Sequence, residues 1–130
     1  MYPILLVVHS LVRWIVVALG LVAAVAALGP PAAARRRVLP FVLALDLQII
    51  LGLLLWAWLS PLTSLRGGLD DPEVRHFTLS HPGVGLSAVV LAHVANVFLK
   101  RGLTQARLLV FLALGGVLLA VPWDRPFFRL

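Results

Sequence analysis

The chain has 130 residues, 62% of them apolar, with a mean hydropathy of +1.05 and a formal net charge of +6. A soluble domain is about 45–50% apolar, so a water-facing fold is excluded for most of the chain, and lipid must act as its solvent. The absence of cysteine excludes disulfides, thiolate metal sites and cysteine-ligated iron–sulfur clusters. The basic residues sit in short segments without interleaved aromatics, which argues against nucleic-acid binding.

The first apolar run extends from about Pro3 to Leu28. It is too long for a signal-peptide core, and its one charge, Arg13, lies in the middle rather than at the start. It reads as a retained span, ended by Gly29-Pro30-Pro31. Arg35-Arg36-Arg37 follow as a loop, then a second span from about Val38 to Leu59, closed by Ser60-Pro61. Asp71-Pro72-Glu73 combines a capping acid, a proline at the first helical position and an acid in the first turn. A third helix is therefore predicted over 73–99, loosened at Pro82. A fourth span covers about Thr104 to Val121, stopped by Pro122. All four must be helices, because lipid offers no partner for an open sheet edge.

The expectation is an all-α integral membrane four-helix bundle forming a single domain over 1–130. The first and third connections carry Arg35, Arg36, Arg37, Lys100 and Arg101 and no acid. By the positive-inside rule they face the cytoplasm, and both termini lie on the outer, periplasmic side. Tyr2, Trp56, Trp58 and Trp123 then fall at the outer interface, and Trp14 packs inside the bundle.

Ionisable groups within a span are expensive and need a reason. Arg13 lies about 15 Å from the outer end of its helix and Asp46 about 12 Å from the inner end of its own, at about 1.5 Å per residue. In a core about 30 Å thick the two share a level, which predicts an Arg13–Asp46 ion pair. His9 and Arg13, at i and i+4, share one helix face. His9 and His81 sit at similar depth on parallel helices, and two opposed imidazoles in a bundle can hold a haem iron. Gly83 and Gly85 would leave room for the macrocycle. His93, about 18 Å further along its helix, has no partner histidine at its level, so the chain admits one haem at most. A metal site built from His9, His76 and His81 is a competing arrangement, although the five-residue spacing of His76 and His81 is poor for a helical chelate.

The stretch His9-Ser10-Leu11-Val12-Arg13-Trp14 resembles the HSxxRW opening of small bacterial four-helix membrane proteins labelled cytochrome-b-like. Asp46-Leu47-Gln48 with Gly52, Arg75-His76-Phe77 with His81, and Pro122-Trp123 match further short motifs of that family along the whole chain. The chain departs from the pattern in having Asp46 where a histidine is often found and Ser80 where an acid precedes His81. The resemblance implies haem and a multi-pass position in the bacterial inner membrane.

Together these readings point to a haem-b-binding electron-transfer protein exchanging electrons with a quinone or a redox partner protein. His9 and His81 would be the axial ligands, with Arg13, Asp46 and Gln48 around them. The alternative is a non-catalytic accessory subunit of a larger membrane complex, or a homo-oligomer, whose polar residues serve helix packing. A transporter is disfavoured because no pair of broken midplane helices is present.

Overall fold

The computed structural model describes residues 1–59 and 69–123. Ser60, Pro61 and Arg66, the side chain of Trp58 and the tail beyond Trp123 lie outside the described residues. Helix α1 spans Tyr2–Ala27 and α2 spans Pro31–Leu54, the latter continuing into a π-helical turn over Leu55–Leu59. A short α3, Pro72–Arg75, runs through a second π-helical turn, His76–Ser80, into α4, His81–Lys100. Helix α5 is Ala106–Ala120. No strand occurs among the described residues.

Three stretches, Tyr2–Ala27, Pro31–Ala57 and Pro72–Lys100, are long and apolar enough to cross a membrane. The fourth is different: α5 has 15 residues, about 22 Å at 1.5 Å per residue, less than a hydrocarbon core of about 30 Å. Much of the helices' outer surface is apolar, with Val25 72% exposed and Leu119 77% exposed. In water such a surface would aggregate; in lipid it is the ordinary exterior of a span.

The first turn is shorter than the arginine triplet suggests. Only Leu28–Pro30 separate α1 from α2, and Arg35, Arg36 and Arg37 lie within the helix. Pro31 takes the first helical position, where its missing N–H costs nothing. The alanines after it are the best helix formers available, and Ala34 is fully buried. The charges mark a helix end rather than a loop.

Asp71 caps α3: its Oδ1 accepts from the backbone N–H of Glu73 at 2.7 Å and of Val74 at 3.3 Å. Asp71→Ala is expected to cost about 1 kcal/mol of local stability, read as faster amide exchange at Glu73 and Val74 with α4 unchanged. At the other end of the third span, Gly102 adopts φ +73°. Its N–H bonds to Leu99 and that of Leu103 to Phe98, the left-handed helix stop that glycine permits.

The third span does not break at Pro82. Proline has no N–H, so in α-helical register the carbonyl four residues earlier, that of Thr78, loses its acceptor role. The indole N–H of Trp56 donates to that carbonyl at 3.0 Å. A side chain from the second span's π-turn thus replaces the bond removed from the third span's π-turn.

The helices form a ring in which α1 touches α2 and α5, and α4 touches α2 and α5. Small residues line the seams: Ala23, Ala88, Ala95 and Ala113 are fully buried, with Phe41, Val38 and Val110 filling the larger gaps. Close helix approach through small side chains supplies the dispersion that replaces the hydrophobic effect in lipid. Gly20 is the tightest point, where α1 meets Phe41 of α2 and Leu114 of α5.

Candidate functional site

The four helices enclose a cavity of about 150 Å³ near the end of the bundle that carries Met1. Its polar lining is Tyr2, His9, Ser10 and Arg13 from α1, Gln48 from α2, Trp56 from the first π-turn, and His81 at the start of α4. His9 and Arg13 share the inward face of α1, one turn apart. Gln48 and Gly52, also one turn apart, face them from α2.

The imidazoles of His9 and His81 lie side by side, ring centres 6.2 Å apart and planes inclined at 69°. His81 is held firmly: its Nδ1–H donates to the carbonyl of Ala120 at 2.9 Å. Ala120 is the last residue of α5, where the helix has carbonyls without internal partners. One bond therefore caps α5 and fixes His81 with its Nε2 as the remaining lone pair. Trp123 supplies a second cap, its indole N–H donating to Leu118 at 2.9 Å.

His9 is held from α2. The Gln48 amide lies 3.2 Å from His9 Nε2, and a Cβ built on Gly52 would stand 3.2 Å from His9 Cε1. Gly52 is thus the space that His9 occupies. With the amide N–H donating to Nε2, the imidazole proton sits on Nδ1; with the amide turned over, Oε1 accepts from Nε2–H and the lone pair moves to Nδ1. Gln48 sets the tautomer of His9. Neither His9 Nδ1 nor Gln48 Oε1 has a hydrogen-bond partner among the described residues, although both are buried. Gly52→Val is expected to push His9 out of place and to lower ligand affinity of the cavity by about tenfold or more while the helices persist, measured by ligand titration beside circular dichroism.

The two ends of the chain meet here. Trp14 and Trp123 pack edge to face with ring centres 6.2 Å apart, and the Arg13 guanidinium lies 5.0 Å from the Trp14 ring centre. The HSxxRW and Pro-Trp segments, more than a hundred residues apart, form one wall.

Some expectations need correction. Asp46 does not pair with Arg13: its Oδ1 lies 2.9 Å from Nε2 of His93, on the surface between α2 and α4. Nor does Asp46 belong with Gln48 around the histidines, since it is absent from the cavity lining; two residues apart on a helix means about 200° of rotation. The fourth helix contributes the Ala120 carbonyl to the site. Among the expected spacer glycines, Gly85 lines the cavity and Gly83 has nothing within 4 Å. His76 packs on Phe77, with ring centres 4.9 Å apart, and no group of three or more metal-ligating side chains converges among the described residues. The His76 and His81 ring centres are nonetheless 6.1 Å apart.

Sequence reasoning missed the Ala120 carbonyl, the Trp56–Thr78 bond and the seating of His9 on Gly52. Only the last had a signal, the four-residue spacing of Gln48 and Gly52.

The donor set suits a haem iron. His9 and His81, brought to 6.2 Å from two different helices, are the residues that would hold it. A backbone carbonyl holding the far nitrogen is the usual support of a ligating histidine, and His81 has it. His9 must turn away from Gln48 to present a nitrogen to the same point. The cavity volume is that of a single benzene-like ring, and the cavity is partly open to the outside.

No family model, curated protein or solved structure matches the chain.

Proposed function

We propose that the protein is a membrane electron-transfer protein that binds one haem b between His9 and His81 and exchanges electrons with a membrane quinone. The observation that carries this reading is the pair of imidazoles from different helices, 6.2 Å apart in one cavity, with His81 anchored through Nδ1. Haem b supplies a one-electron iron couple when bound. The chain's own part is to orient His81 from Ala120, to set the His9 tautomer from Gln48, to hold the fixed charge of Arg13 against the cavity and to exclude water with Phe77, Trp56 and the surrounding aliphatic side chains. The proposed setting is the bacterial inner membrane, both termini outward, as the arginines and lysine at the opposite helix ends argue.

The test is optical. Protein purified after expression with ample haem is expected to show a Soret band at about one haem per chain; its absence would overturn the reading. A second reading is favoured by the cavity's volume, which suits one six-membered ring: the quinone head group itself lies between the histidines, its carbonyl oxygens accepting from imidazole and amide N–H groups. A colourless protein that is labelled in the cavity by an azidoquinone would support it. A colourless, unlabelled protein that co-purifies with other membrane subunits would point instead to an accessory role.

A further inference from the structure

Asp46 and His93 lie outside the cavity, in the middle of two apolar helices. The His93 side chain is 52% exposed and that of Asp46 34% exposed. Their apolar neighbours on the same faces, Leu43 and Ile50 on α2 and Val90 and Val97 on α4, are exposed as well. These are spaced three and four residues from the polar pair, so each helix presents a stripe with one ionisable group at its centre. In a monomer this pair would face hydrocarbon, where ionisable side chains are costly and are almost always covered by protein or water.

The pair is also incompletely bonded. One carboxylate oxygen and one ring nitrogen are used. The other oxygen and the other nitrogen have no hydrogen-bond partner among the described residues. Apolar side chains explain nothing here, since lipid covers them equally well. The unused donor and acceptor do discriminate. An acid beside a base is its own complement under a two-fold rotation: the acid of one copy meets the base of the other twice, by one symmetry operation.

We propose that the α2–α4 face is the interface of a homodimer in the membrane, in which Asp46 and His93 of the two copies close into one four-membered hydrogen-bonded cluster. This is independent of what the cavity binds.

Because the chain has no cysteine, single-cysteine variants report contacts without background. In native membranes, Leu43→Cys and Val90→Cys are expected to cross-link to a species of twice the 14.1 kDa chain mass, and Val25→Cys and Leu119→Cys, exposed on α1 and α5, are not. Yields no higher at the first pair than at the second would overturn the proposal, as would cross-linking only to an unlike chain. Energy transfer between labelled copies in diluted liposomes gives the second measurement. The double variant Asp46→Leu/His93→Leu is expected to dimerise about tenfold more weakly, as the loss of two interhelical hydrogen bonds in lipid implies. The exchange Asp46→His/His93→Asp should restore dimerisation, since the two-fold complement survives it. Wild-type dimerisation by the double leucine variant would sink the idea.

Discussion

On the proposed haem assignment, replacing His81 by alanine is expected to abolish the Soret absorbance of the purified protein, taking haem content from about one per chain to below a tenth of that, because one of the two proposed ligands would be gone. His9→Ala should do the same. His93→Ala should leave the spectrum intact, since His93 lies on the α2–α4 surface; on the two-histidine assignment His76→Ala should do so too, although its ring lies 6.1 Å from that of His81. His81 has a second duty, so folding must be read separately. Its removal leaves the Ala120 carbonyl without its side-chain partner, a loss of about 1–2 kcal/mol. Circular dichroism and the unfolding midpoint in mixed micelles separate that modest loss from the loss of the ligand. A spectrum unchanged in His81→Ala would remove His81 from the site whatever the stability showed.

The second large effect is expected at Gly20. A Cβ there would lie 2.8 Å from Leu114 Cδ1 and 3.0 Å from Phe41 Cε2. The end of Leu114 can move, but the Phe41 ring is fully enclosed and cannot. Gly20→Ala should therefore cost about 1–3 kcal/mol, and Gly20→Leu, which adds three more carbons to a filled space, at least the upper end of that range. Gly83→Leu is the control. It also adds a side chain to a helix, yet nothing lies within 4 Å of the added carbon, and a surface change of this kind stays within about 0.5 kcal/mol. Titration with a denaturing detergent reads both. Equal losses at the two positions would mean that the three-helix contact at Gly20 is not a point of tight packing.

What could be read from the chain divides along physical lines. Apolar runs and the Asp71-Pro72-Glu73 start are local chemistry, visible in residue order. The helical placement of Arg35, Arg36 and Arg37 was not visible, because arginine is a good helix former and charge alone does not separate a helix end from a loop. Depth could be counted at a fixed rise per residue, which brought His9 and His81 together correctly along the membrane normal. Depth says nothing of rotation about the helix axis, and Asp46 was misplaced for that reason: its level suited Arg13, its azimuth suited His93. The carbonyl of Ala120 had no signal at all, since every residue carries one and side-chain identity does not reveal which is left unpaired.

The bond from Trp56 to Thr78 has a mechanical consequence. A proline within a span commonly provides a joint about which the two halves swing. Here the joint is clamped to the neighbouring helix at the carbonyl that the proline leaves free. The second and third spans are therefore tied to each other beside the cavity, at the level where a proline joint would otherwise act.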